Sequence, residues 1–401
     1  MAAFAVALLL YGLKITRPLE WKSWDLRLRL FSDASKASGN IVIFLIDQYS
    51  LDIYEKQQGL SWPWPRQVYS AVVDYLRQGG AKVIFFDLTF SEASRSGVED
   101  DEDFARAMER AGNVFLPLSL SQKEESIEAT PGDVLKRFSL SPGELPLESF
   151  PRAVSATLPV SVLLNASRGA GNVLFLPDSD GIFRRLPLAI SYRDLIIPSI
   201  PIAMVRFVGG GEKLPQIPLD NSGRMIIRYY GPAGTYKTYS IAAIINSWAQ
   251  VEEGKEPQIP PGEFAGKIVL VGASASGLLD LRPSPLSAVY PGVEINATVL
   301  DNILKGDFVR IPALMILIGL VLVFAMFTAV GASLLRKIWH HIVFFFICLA
   351  IPFGAAWLAF NSGWWLEFVV HEFAVFTSFI GASLLNYSAE GRQRRFIKGV
   401  F

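Results

Sequence analysis

The pattern of apolar and polar positions divides the chain into a short apolar start, a long mixed middle and an almost wholly apolar end. Residues 311–335, 338–360 and 364–387 each form an apolar run long enough to cross a hydrocarbon core, which takes about 20 helical residues. The uncharged opening run predicts a further membrane helix over residues 1–15, short of a full span. A signal-peptide core is the other reading, but no basic residue precedes the run and no clear small-residue cleavage site follows. Arg336 and Lys337 separate the first two closing runs, and Arg392, Arg394, Arg395 and Lys398 follow the third. By the positive-inside rule, these residues predict a cytoplasmic C-terminus and an extracytoplasmic middle. The expected layout is a multi-pass protein of the inner (plasma) membrane. It has four membrane helices, with residues 388–401 as a cytoplasmic junction to an output domain.

Residues 20–310 read as one α/β domain with a mostly parallel sheet. Ile41-Val42-Ile43-Phe44-Leu45-Ile46, Val83-Ile84-Phe85-Phe86 and Lys267-Ile268-Val269-Leu270-Val271 are apolar on both faces, as buried parallel strands are. Val68, Val72, Val73 and Leu76 share one face of a helix over residues 66–77, and Gly79-Gly80 ends it. The first two strands and this helix make a βαβ unit. Further helices are expected over 100–110, 200–207, 240–249 and 293–304, and strands over 114–118 and 225–230. The turn Pro177-Asp178-Ser179-Asp180-Gly181 predicts a hairpin between 173–176 and 183–190. Residues 121–150, rich in Ser, Glu and Pro, read as a loop or insertion.

Composition narrows the chemistry. Lys plus Arg and Asp plus Glu both number 37, so no net charge draws nucleic acid. The single cysteine, Cys348, excludes an intrachain disulfide. His340, His341 and His371 all lie in the apolar end, so the middle can hold neither a Cys/His zinc site nor a Ser-His-Asp triad. Gly272-Ala273-Ser274-Ala275-Ser276-Gly277 has phosphate-loop glycine spacing but lacks the lysine. No catalytic residue, metal or cofactor is expected.

Candidate ligand contacts come from position. Asp47 and Asp87 end strands, and ligands of open α/β sheets bind outside the carboxyl ends of strands. Ser274 follows the third strand. Trp64 and Arg66 stand in the stiff segment Trp62-Pro63-Trp64-Pro65-Arg66, and Asp280 and Arg184 complete the set. Each also has a structural reading: Asp47 and Asp87 as turn caps, the Trp-Pro segment as a wedge, and Asp178, Asp180, Arg184 and Arg185 as surface pairs. Glu367, His371 and Glu372 lie a turn apart but are weak metal candidates. Ala374, Ser378 and Ala382 form a small-residue stripe suited to helix packing.

Several ordered segments resemble one family. They are Asp25-Leu26-Arg27-Leu28-Arg29, the strand ending in Asp47, Trp62-Pro63-Trp64-Pro65-Arg66 and Gly80-Ala81-Lys82-Val83-Ile84-Phe85-Phe86-Asp87. Pro177-Asp178-Ser179-Asp180-Gly181 with Arg184-Arg185, the segment from Gly266 to Ser274, and Pro291-Gly292-Val293-Glu294-Ile295-Asn296-Ala297 continue the series. Together they resemble the type 2 CHASE domain, an extracellular sensory domain. The resemblance implies one membrane helix before the domain and three after it. It also implies an output such as a class III adenylate or guanylate cyclase, or a sensor kinase. An unknown extracytoplasmic ligand and a homodimer are the expected partners. The family often has Thr-Pro where Pro283-Ser284-Pro285 stands, and often His at Asn296. A membrane-anchored binding or scaffold protein is the competing reading.

Overall fold

The computed structural model describes residues 2–124, 132–141, 143–145, 150–210, 214–278, 280–335 and 337–400, with the backbone alone at Ser276 and from residue 390. The longer helices are α1 (Ala2–Gly12), α2 (Arg17–Phe31), α3 (Gln48–Gln58), α4 (Arg66–Gln78), α5 (Val98–Ala111), α6 (Ile200–Val208), α7 (Ile241–Glu252), α8 (Gly292–Lys305), α9 (Leu314–Leu334), α10 (Ile338–Asn361) and α11 (Val369–Val400). The strands that position the site are β1 (Ile41–Ile46), β2 (Val83–Phe86), β3 (Val114–Ser121), β4 (Gly169–Asn172), β5 (Lys237–Ser240), β6 (Ile268–Ala273), β7 (Leu281–Arg282) and β8 (Tyr290–Pro291). The chain divides into two units, residues 32–308 and residues 1–31 with 309–401.

In the first unit, six strands run parallel in the order β5-β1-β6-β2-β3-β4, and Ser155–Thr157 adds an antiparallel strand to β3. The central strands are apolar at every position because both faces are covered. Val42, Phe44, Ile46, Val269 and Val271 share one core with residues of α4, α5 and α7. The alternate positions Ile41, Ile43 and Leu270 are equally buried. A Cβ at Gly272 would stand 2.5 Å from Val293 Cβ, so glycine is what lets α8 approach β6.

Three features of this unit differ from, or add to, the sequence reading. First, β1 and β2 are not neighbours: β6 lies between them, paired to both, so the chain's third apolar run is the centre of the sheet. Second, β1 is followed at once by α3, a helix whose sparse apolar positions give little periodicity. Third, the turn at 177–181 forms, with Gly181 N–H donating to Asp178 O, but its flanks do not pair with each other. Arg185–Pro187 pairs with Arg224–Ile226 instead, and Ala189–Tyr192 with Leu195–Pro198. The strand expected over 225–230 ends at Ile226. Within the expected loop 121–150, Gly132–Lys136 forms a short helix; residues 125–131, 142 and 146–149 lie outside the described residues.

In the second unit, α9, α10 and residues 369–389 of α11 are long and apolar enough to cross a membrane. Four separate spans are not established, because the opening run is broken. α1 is 11 residues, about 16 Å at 1.5 Å per residue, and meets α2 at 82°. The two pass as a span only if the bent pair is counted as one. α1 packs through Ala7 against Leu317, Val321, Ala325, Val370 and Ala374. The stripe Ala374, Ser378 and Ala382 is buried, as its spacing predicts. On α2 the polarity is inverted: Glu20, Asp25 and Arg27 are buried while Leu19, Leu26 and Leu30 are exposed. Arg27 pairs with Glu20 and donates to Leu366 O at 3.0 Å, and Glu20 also accepts from Trp365 Nε1 and Val369 N–H. His371 Nδ1 lies 2.7 Å from Glu367 O. Of the basic residues that predict the orientation of the chain, Arg336 lies outside the described residues, as do the side chains of Arg392, Arg394, Arg395 and Lys398.

Candidate functional site

Four neighbouring strands, β6, β2, β3 and β4, end at a common edge. Residues near their carboxyl ends line a cavity of about 490 Å³: Ala273, Asp87, Ser119, Leu120 and Leu174, with Trp62, Phe175, Asp280 and Arg282 on its other sides. This is where an open parallel sheet offers backbone ends and room for a ligand. Asp87 is placed by β2, its N–H donating to Val271 O of β6 at 2.7 Å. Its Oδ2 accepts from Asn296 Nδ2 at 3.1 Å, in the second turn of α8.

Asp280 and Arg282 enter from the hairpin of β7 and β8, whose strands pair Leu281 with Pro291 and Arg282 with Tyr290. Asp280 O accepts from Gly292 N–H at 3.0 Å, which fixes the start of α8 against β7. A Cβ at residue 292 would stand 2.4 Å from Asp280 Oδ1, so the glycine of the Pro291-Gly292 pair makes room for this carboxylate. Arg282 Nη2 lies 3.6 Å from Asp280 Oδ1, close enough for attraction but too far for a hydrogen bond.

Burial pushes the Asp87 carboxyl well above the ordinary carboxylate range, and the nearby charge of Asp280 pushes it further; Asn296 and Arg282 act in the opposite direction. Asp280 is raised by burial and lowered by Arg282. Two carboxyls in one half-buried crevice thus compete to stay protonated, as in other carboxyl pairs.

The remaining candidates have other surroundings. Asp47 caps α3: its Oδ1 accepts from Ser50 N–H at 2.8 Å, Ser50 Oγ at 2.5 Å and Ser240 Oγ at 3.1 Å. Ser274 continues from Ala273, and its N–H donates to Ile46 O. Trp64 is buried against Tyr54 and Trp62 and lines a second cavity of about 450 Å³; Thr89 lines both cavities. Arg66 also lines it, but its Nε donates to Asp101 at 2.9 Å, its Nη2 to Glu92 O, and its guanidinium lies over the Phe90 ring. The N–H groups of Arg66 and Gln67 donate to Asp100, so α5 supplies the cap that Pro65 cannot give α4.

Arg184, read from the sequence as part of a surface cluster, is instead 1 % exposed. It is bound to both oxygens of Asp180 and to Asp178, itself 2 % exposed in side chain; Arg185 and Arg224 share Asp178. Phe183 N–H donates to Pro283 O at 2.9 Å, which ties the turn to the residue after β7.

The structure therefore brings together Asp87 and Asp280 of the expected set and adds Asn296, Arg282, Trp62 and Phe175. Asn296 lies four residues after Gly292 on the same helix face, a spacing that could have flagged it once Gly292 was seen as a close-approach position.

An open parallel sheet with a charged crevice at its carboxyl edge, in a chain with helices long and apolar enough to cross a membrane, is the arrangement of a membrane-anchored α/β domain. The family model for the CHASE2 domain matches residues 1–334, and the chain belongs to that family. CHASE2 is an extracellular sensory domain, and the apolar helices make the chain a membrane protein. The match ends where α9 does. No curated protein and no solved structure matches the chain.

Proposed function

We propose that this chain is the sensory input module of a plasma-membrane receptor. Residues 32–308 face away from the cytoplasm, bind a small ligand in the Asp87–Asp280 crevice, and regulate a downstream class III adenylate or guanylate cyclase in a homodimer. The observation that carries the signalling part is α11. Its apolar span ends at Ala389, yet the backbone helix continues to Val400. A continuous helix transmits rotation or translation from one end to the other, which is what an output dimer reads. A sensor kinase would be driven by the same lever, and a scaffold would have no use for it.

The test is a fusion of a class III cyclase catalytic domain after Phe401, expressed in cells lacking their own cyclase. Inserting two residues after Ser388 rotates the downstream helix by about 200°, whereas seven residues nearly restore its phase. Cyclic nucleotide output should change several-fold with two and return with seven. Output indifferent to both insertions would overturn the lever. Orientation is checked with single cysteines in a Cys348→Ser background. Ser141→Cys should react with an impermeant thiol reagent in intact spheroplasts and Ser388→Cys should not, and the reverse would overturn the assignment of sides.

A further inference from the structure

The crevice carries charges of both signs whose bonding capacity is not used up. Asp280 Oδ2 and Arg282 Nε are buried atoms with no hydrogen-bond partner among the described residues. Leaving a buried donor or acceptor unmade costs about 1–3 kcal/mol, more when it is charged. Both residues line the same cavity as Asp87. Trp62 and Phe175 supply aromatic wall, with the Arg282 guanidinium 5.7 Å from the Phe175 centroid. A volume of about 490 Å³ suits a small organic molecule.

We propose, resting on the reading of this crevice as the sensory site, that its ligand is a small zwitterion of the amino-acid class. Asp87 and Asp280 hold its ammonium group and Arg282 holds its carboxylate. A simple anion would meet two carboxylates. A simple cation would stand beside the Arg282 guanidinium, whose side chain is 38 % exposed, with like charge. A bare metal ion would find too few ligands, since no cluster of three or more His, Cys, Asp or Glu able to hold one occurs among the described residues. A zwitterion can pair its two ends with the part-exposed Asp280 and Arg282 side chains together, 22 % and 38 % exposed. The aromatic walls offer apolar contact to its side chain and a π-face to its ammonium.

Ligand binding and protonation are coupled in such a site. Asp87 and Asp280 are the titratable groups facing each other here, with Arg282 as the neighbouring cation and Asn296 as the neutral donor from α8. An ammonium group favours their ionised forms, so binding releases protons and tightens as pH rises from acid towards neutrality.

The experiment is isothermal titration calorimetry on the full chain in nanodiscs. The probes are the twenty standard L-amino acids and, for each binder, its N-acetyl derivative, its amide and its decarboxylated amine. At least one free amino acid should bind, and blocking either end should weaken it about tenfold or more. Asp87→Asn, an isosteric change, should weaken the free acid about tenfold. Arg282→Gln should do the same while erasing the preference over the amide. If no free amino acid binds at millimolar concentration, or the blocked forms bind as tightly, the zwitterion is overturned; neither result depends on a variant folding. Thr89→Trp, at the exposed rim, separates this from failure of the site itself. A non-zwitterionic compound that binds the wild type but not Thr89→Trp keeps the crevice and rejects the ligand class. Binding that Thr89→Trp leaves unchanged rejects the crevice as well.

Discussion

Asp47 and Asp87 look alike in the chain: each ends an all-apolar strand and precedes a turn. Their environments differ. Asp47 Oδ1 accepts three hydrogen bonds from Ser50 and Ser240 and holds the first turn of α3. Asp87 has one amide from Asn296, a second carboxylate nearby and open space in front of it. The difference arises downstream. After β1 the chain turns directly into a helix, whose free N–H groups attract a cap. After β2 it runs through Leu88 and Thr89 towards Phe90, and no helix begins until Val98, so nothing local claims the carboxylate. An acidic strand end thus becomes a cap where a helix starts beside it, and is left available to a ligand where an extended segment does.

The strongest way to sharpen this contrast is to break a buried ion-pair network. Arg184→Ala leaves the buried Asp178 short of a cation and should destabilise residues 32–308 by about 3–5 kcal/mol, read by urea unfolding of the full chain in nanodiscs with tryptophan fluorescence. A loss under about 1 kcal/mol, the ordinary range for exposed pairs, would show that Arg185 and Arg224 suffice for Asp178. Asp47→Ala should cost about 1–2 kcal/mol, the range for losing an N-cap, without altering ligand affinity at the crevice. If affinity falls while stability holds, the two aspartates are not opposites.

Asp87→Asn should have the smallest effect on stability and a distinctive pH signature. Because the folded pKa of Asp87 is raised, its contribution is fully present below the unfolded carboxylate pKa and is lost as pH rises through the folded value. Wild-type stability should therefore decline from mildly acidic towards alkaline pH, and Asp87→Asn should flatten that decline. An identical slope in the variant would place the titration elsewhere.

The strands of the sheet are legible in the sequence because parallel strands covered on both faces must be apolar throughout, and the helices over 66–77 and 240–249 because one face of each is packed; α8 is buried all round from Gly292 to Ile303. The order of strands is not, since sequence adjacency suggests β1 beside β2, and only long-range pairing inserts β6 between them. α3 escapes a periodicity argument because its apolar positions are few. Of the site, Asp87 and Asp280 can be named from position, but their convergence depends on the β7–β8 hairpin, whose strands are two residues each. Arg282 carries no local signal of its own, and Asn296 has only its spacing from Gly292. Arg184 passes for a surface residue because an Arg–Asp turn reads the same whether solvent or a β-segment lies beneath it.

Gly292 bears on how such a crevice could diverge. Every replacement adds a Cβ that would stand 2.4 Å from the Asp280 carboxylate oxygen, at the free end of a side chain that can swing away. The helix can survive while the charge is re-aimed. Selection can therefore retune which molecules the crevice accepts through a position that need never touch them, with every polar group in the cavity retained. Over evolutionary time, the specificity of this pocket is coupled to a missing methyl group as much as to the residues that line it.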